Sequence, residues 1–219
     1  MAHLRDGWKR ERLRAAVYDW GVETALVARV AGRALWGLDV DRLWTSIGEL
    51  SQEPRGATVL DVPCGGGVAF RALSPTRPLR YVAADLSWVM LGRAGKRARK
   101  HRLDQIEFVQ ADVVALPFPD GSFDVCVTYN GLHCFPDPAR ALAEFARVLR
   151  PGGELRGTSV VRGAGRRYDA TVALMQRAGV FGPTGTAEDF TRWLTDVGLT
   201  DVRVTGPGAV ITLSARRPT

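Results

Sequence analysis

The stretch VLDVPCGGG, Val59 to Gly67, decides how the rest of this chain is read. A short apolar run ends on an acid, Asp61, and a Pro63-Cys64 pair leads into three glycines. Such a pattern predicts a buried strand followed by a tight loop. Three uses of the loop compete. A P-loop phosphate cradle needs Lys and Ser/Thr after its last glycine, and neither follows Gly67. A dinucleotide loop needs a third small residue where Phe70 stands, because helix and strand must pack closely around the pyrophosphate. A nucleophilic Cys64 needs a base or cation to activate it, and the loop places no His or acid beside it. A small side chain filling the loop is the plainer role for that cysteine.

Working outward from the loop, a regular alternation appears. ATVLDV, LRYVAADL, QIEFVQADV, FDVCVTYN and ELRGTSVVR read as five strands. Helices are expected through Phe70 and Leu73, from Ser87 as N-cap to His101, and over PARALAEFARVLR up to the stop signal Pro151-Gly152-Gly153. Strands that are apolar throughout and alternate with helices predict a parallel sheet covered on both faces. Further helices are expected over Tyr168–Ala178 and Ala187–Val197. The tail VRVTGPGAVITLSARR reads as a hairpin turning at Gly206-Pro207-Gly208. The fold class is therefore α/β: a Rossmann-like, doubly wound, mostly parallel sheet with an antiparallel C-terminal strand and an N-terminal helical cap. Residues 1–50 would be the cap and 51–219 the core, with a helical insertion or lid over 163–195 and the hairpin over 200–216.

The totals bound the function. The chain has 219 residues, 30 Lys/Arg against 23 Asp/Glu, and a net charge of +7. Three cysteines without a Cys-x-x-Cys exclude a disulfide framework and a zinc knuckle, and point to a reducing, cytoplasmic setting. No leader and no membrane span are expected from the charged N-terminus and the absence of a long apolar run. Two basic runs, Lys9–Arg14 and Arg93–Arg102, could face RNA, a phosphorylated substrate or an acidic membrane surface. The second has apolar Leu91, Ala94, Ala98 and Leu103 beneath it and no interleaved aromatics, so a solvated helix face is the simpler reading.

Two acids complete the picture. Asp85 ends the second strand, where a carboxylate can accept both hydroxyls of a ribose, and Asp112 ends the third, within reach of an adenine amino group. With LPFPDGSFDVCVTYNGLHCF and LRPGG in order behind them, the sequence resembles the class I S-adenosylmethionine-dependent methyltransferases, most of all the ubiquinone/menaquinone biosynthesis group. The resemblance runs from Val59 to Gly153 and extends weakly upstream through YDW, Tyr18–Trp20, and WGLDVDRLW, Trp36–Trp44. It implies that Asp61 and the backbone of Pro63, Cys64, Gly65 and Gly67 hold the methionine end of S-adenosyl-L-methionine. It implies that Asp85 and Leu86 hold the ribose and flank the adenine, that Asp112 and Val113 face the adenine edge, and that Tyr129, Asn130 and Gly131 pass the methionine and methyl. Pro63 departs from the family's glycine; it gives up an N–H but keeps its carbonyl.

His133, just past the fourth strand, is the candidate base, and Tyr18 is a candidate to close over the cofactor. Bracing the loop or simple packing are the alternatives for both. Aromatics flanking the core, among them Trp36, Trp44, Phe181 and Trp193, would line an acceptor site. The expectation is methyl transfer to a small lipophilic or aromatic acceptor at carbon or oxygen, with no metal, by a monomer or homodimer. A cofactor-binding protein without catalysis, or an RNA-binding methyltransferase using 93–102, are the rivals.

Overall fold

The structure is a computed structural model that describes residues 36–37, 40–77 and 79–219. Most of the cap expected over residues 1–50, including Tyr18, lies outside the described residues. Helix α1 (Val40–Gly48) leads through a 3-10 turn (Glu49–Gln52) into strand β1 (Thr58–Asp61). β2 (Arg80–Asp85), α2 (Trp88–Lys100), β3 (Ile106–Gln110), β4 (Phe123–Tyr129), α3 (Pro138–Val148) and β5 (Leu149–Val160) follow. The chain closes with α4 (Arg166–Arg177), α5 (Ala187–Asp196), β6 (Thr200–Thr205) and β7 (Val210–Arg216).

The seven strands lie in the order β3-β2-β1-β4-β5-β7-β6. β1 to β5 are mutually parallel, and β7 runs antiparallel to both of its neighbours. The order reverses between β1 and β4, so the loops after these two strands meet at the switch point of the sheet.

Period-two alternation sends neighbouring residues of each strand to opposite faces. Val59, Tyr81, Val125, Val127 and Tyr129 pack under α1 and α2, against Leu43, Ile47, Leu50, Leu91 and Ala94. Leu60, Val82, Cys126, Leu155, Ile211 and Leu213 pack against Leu142, Phe145 and Val148 of α3 and Phe190 and Leu194 of α5. Each such buried side chain contributes roughly 1.5–3 kcal/mol. A third cluster, Val160, Tyr168, Val172, Phe181, Ala209 and Val210 with Trp36 against it, sits where β5 ends and β7 begins.

The caps follow the sequence. Ser87 Oγ accepts from Met90 N, and Asp137 accepts from Arg140 N ahead of Pro138. Thr186 and Asp189 form a reciprocal capping box on α5. α2 buries Met90, Leu91, Ala94 and Ala98, and turns Lys96, Arg99 and Lys100 to solvent.

Two expectations need correction. The Pro151-Gly152-Gly153 signal ends α3 as read, but strand pairing has already begun at Leu149, with a register shift opposite Phe123/Val125 that absorbs the extra residues. The helix expected through Phe70 and Leu73 is only a 3-10 turn, Val68–Ala72. Gly67 enters it in the left-handed region, with φ +80°.

Candidate functional site

The loop after β1 is built from backbone contacts. Cys64 N donates to Ala84 O at 2.8 Å and Gly67 N to Cys64 O at 2.9 Å, and the Arg97 guanidinium reaches Gly67 O at 3.3 Å. The Val62–Pro63 peptide is cis. Gly65 has φ +53°, and a Cβ there would meet a single atom, Met90 Cε at 3.6 Å. The protein thus leaves this backbone bare, as close approach of a ligand requires. Phe70 is buried beneath the loop, and a Cβ on Gly67 would fall 2.5 Å from its ring. The ring therefore fills the space that a dinucleotide loop leaves to its third glycine.

Asp85 ties this loop to the end of β2. Its Oδ2 accepts from Gly65 N at 3.0 Å and its Oδ1 from Ser87 N at 2.8 Å, which fixes the carboxylate at the mouth of the loop. A carboxylate has about four acceptor positions, so an oriented one can also take hydroxyl donors. Leu86 is half-buried beside it, and its carbonyl accepts from Gln110 Nε2 at 2.9 Å. Past β3, Asp112 Oδ1 accepts from Val114 N at 3.2 Å within a tight turn, and Val113 is buried.

Asp61 is buried at the root of the loop, and Tyr81 OH donates to its Oδ2 at 2.8 Å. Burial pushes its carboxyl up to about 7; the Tyr81 hydrogen bond opposes the shift and the nearby Asp85 charge adds to it.

The loop after β4 meets this structure directly. A Cβ on Gly131 would lie 2.2 Å from Pro63 Cδ, so only glycine fits against that proline. Asn130 takes φ +55°, which asparagine tolerates, and Thr158 holds it: Asn130 N donates to Thr158 O, and Thr158 Oγ1 donates to Asn130 Oδ1 at 3.1 Å. Tyr129 lies elsewhere than expected. Strand alternation turns its ring onto the α1 face, where its hydroxyl donates to Ser46 O at 3.0 Å. Only its backbone adjoins the loop.

His133 is 2% exposed, on the 3-10 turn Leu132–Cys134. Val160 N donates to its Nδ1 at 3.1 Å, and its ring stands edge-on to Phe181 at 4.4 Å. Burial pushes its pKa down to about 3. Its Nδ1 lone pair is already in use and its proton must sit on Nε2, so in this arrangement it has no lone pair to offer as a base. Cys64 is buried, with its thiol turned to Gly65 O at 3.6 Å. Among the described residues no group of three or more His, Cys, Asp or Glu could hold a metal, and no helix is long and apolar enough to cross a membrane.

Several residues escaped the sequence reading. Tyr81 signals itself as a polar tip within an apolar strand. Thr158 and the docking of Trp36 on Phe181, at 5.5 Å between ring centroids, leave no local signal. The glycines at 182 and 185 stand at close approaches of the chain. A Cβ at Gly182 would lie 2.2 Å from Phe135 O, and one at Gly185 would lie 2.6 Å from the Trp193 ring.

The sheet order, the antiparallel seventh strand and the loops meeting at the switch point define a Rossmann-like fold of the methyltransferase type. Residues 60–156 match the family model described as Methyltransferase domain. That match covers less than half of the chain, and over it the chain is similar to methyltransferase domains. The chain is 42% identical over 111 residues to phthiotriol/phenolphthiotriol dimycocerosates methyltransferase 1 of Mycobacterium ulcerans, covering 49% of this chain and 39% of that protein. It is 37% identical over 101 residues to 27-O-demethylrifamycin SV methyltransferase of Amycolatopsis mediterranei, covering 46% and 37%. The matches therefore span less than half the length of these curated relatives. In structure it is similar to the Haemonchus contortus phosphoethanolamine N-methyltransferase 2 complex with S-adenosyl-L-methionine. There the TM-score is 0.76 at 16% identity, over 99% of this chain and 60% of that one. It is also similar to the 4+2 cyclase SpnF, with a TM-score of 0.67 at 23% identity, over 82% and 81%.

Proposed function

We propose that the protein transfers the methyl group of S-adenosylmethionine to a small lipophilic acceptor, at carbon or oxygen, by in-line displacement. The observation that carries the reading is the Asp85 carboxylate, held by the amides of Gly65 and Ser87 at the mouth of a glycine loop whose backbone is bare. The chain's own groups fit the cofactor. Asp85 would accept from the ribose hydroxyls, with Leu86 beside the adenine and the Asp112-Val113 turn at its edge. Gly65, Gly67 and the carbonyls of Pro63 and Cys64 would face the methionine end above the buried Asp61, and Asn130-Gly131 would border the sulfur. When bound, the cofactor supplies an electrophilic methyl on a sulfonium. What the protein then has to do is align the acceptor and exclude water.

The lipophilic character of the acceptor is supported by the aromatic cluster of Trp36, Tyr168 and Phe181 beside the turn that follows β4. It is also supported by the relatives' names, which specify dimycocerosate and rifamycin substrates. The loop motifs favour the ubiquinone/menaquinone subgroup and hence a quinone-like ring. Residues 1–50 and 163–195 would together roof the acceptor. Since a solved neighbour of this fold is named a cyclase, the fold alone does not fix the reaction.

Titration calorimetry tests the reading: S-adenosylhomocysteine should bind and NAD should not. Asp85→Ala removes charge-assisted hydrogen bonds of roughly 1.5–3 kcal/mol each, and should weaken S-adenosylhomocysteine about a hundredfold. Undiminished affinity in that variant would sink the cofactor assignment. Failure of a labelled methyl to reach any ring acceptor, with cofactor binding intact, would favour the cofactor-binding rival.

A further inference from the structure

We propose that His133 is a hydrogen-bond donor to the methyl acceptor, using Nε2–H to hold an oxygen on an otherwise apolar ring. This rests on the methyl-transfer reading above and narrows its substrate class to ring compounds carrying a carbonyl, or another accepting oxygen, near the methylated atom.

The argument starts from the two ring nitrogens. Nδ1 accepts from Val160 N at 3.1 Å, so the neutral ring carries its hydrogen on Nε2. Among the described residues no acceptor meets that Nε2–H. That nitrogen is not among the fully buried polar atoms left without a partner, so a bound molecule can reach it and supply the acceptor that the described residues do not. Its surroundings say what the partner is like. The ring stands edge-on to Phe181, which touches Trp36, and Val160, Tyr168 and Val172 complete the cluster. The groups there that could carry charge are few. Burial, with the Asp85 charge adding to it, pushes the Cys134 thiol up to about 12, the Arg167 guanidinium lies 4.3 Å over the Tyr168 ring and donates to its hydroxyl, and the imidazole itself stays neutral. An apolar body with one accepting oxygen suits such a wall. Position agrees, because His133 is two residues beyond Gly131, which packs on the loop that would hold the cofactor.

Two substitutions separate this role from the others. Asparagine at 133 can still accept from Val160 N but does not extend to the place of Nε2. Glutamine reaches the place of Nε2 but gives up the Val160 bond. The probes are α-tetralone, a ring ketone, and tetralin, the same ring without oxygen. Each is titrated by calorimetry into protein saturated with S-adenosylhomocysteine. The preference for the ketone over tetralin should fall about three- to tenfold in His133→Asn, with S-adenosylhomocysteine affinity unchanged, and should persist in His133→Gln. An unchanged preference in His133→Asn overturns the proposal and leaves a bracing role. If His133→Asn does not fold, loss of the preference in His133→Gln overturns it. Binding of neither ring to the wild type overturns the lipophilic-acceptor reading, and this assignment with it.

Discussion

The two ends of this sheet are held together in opposite ways. At the amino ends the work falls to arginines. Arg147 donates to Glu144, Asp120 and the carbonyls of Leu116 and Phe118, all at 2.8–3.0 Å. Arg150 pairs with Asp124 at 2.6 Å, Arg216 pairs with Glu154 at 3.1 Å, and Arg217 caps the carbonyls of Arg147 and Leu149. At the carboxyl ends the side chains within the sheet are buried, the acids Asp61 and Asp85 among them, and backbone amides and glycines make the closest contacts. Long cationic side chains can bridge irregular gaps and tolerate water, and so they suit an end that only has to stay shut. An end that must accept a ligand does better with bare backbone and groups already fixed in direction.

The contrast can be broken first with pH, where the largest effect is expected. Asp61 is raised by burial from 3.8 to about 7, so its contribution to folding is complete below pH 4 and is lost as pH rises through 7. The loss should approach about 4 kcal/mol. Asp61→Asn should remove that decline when stability is measured by urea unfolding between pH 4 and 7. His133 works in the other direction. Its pKa is lowered from 6.5 to about 3, so stability should fall as pH drops below 6.5. Because these two slopes oppose each other over much of pH 4–7, the reading is taken from the difference between wild type and Asp61→Asn; a difference that does not change between pH 4 and 7 would show that Asp61 is not buried as described.

Next in size is Gly131→Ala, which must push Pro63 away and should destabilise by roughly 1–3 kcal/mol, with a matching loss of S-adenosylhomocysteine affinity. Arg147→Ala should also destabilise, by about 1–3 kcal/mol, yet leave that affinity unchanged because it acts at the far end. If both variants weakened the cofactor equally, the two ends would not be independent. Smallest is Cys64→Ala, where a small side chain replaces another. Turnover on any accepted ring should stay within a few-fold, and loss of several orders of magnitude with the cofactor still bound would restore the nucleophile reading.

The two ends also differ in how far the sequence reveals them. The geometry of the glycine loop and its neighbours was legible because its demands are local. Gly65 and Gly67 take left-handed backbone, Ser87 caps a helix, and Asp85 and Asp112 fall at fixed places after apolar strands. The cluster of Trp36, His133, Val160, Tyr168 and Phe181, proposed above to face the acceptor, is one that only the fold brings together. Aromatic residues in helices and loops look the same whether they pack or bind. His133 illustrates the limit. Its position suggested a base, and only the donor at Val160 N shows which nitrogen is left. Tyr129 was misplaced for a simpler reason, since strand parity and not motif order decides which way a side chain turns.

The contact between Pro63 and Gly131 reaches beyond this one chain. Two loops 68 residues apart in sequence share one small volume, and the proline has claimed it. Where a related chain keeps glycine at the position of Pro63, that claim lapses and a side chain at position 131 becomes admissible. The two positions should therefore drift as a pair across descendants of this fold. The order of change is constrained as well, because a proline can enter the first loop only in a lineage that already carries glycine in the second.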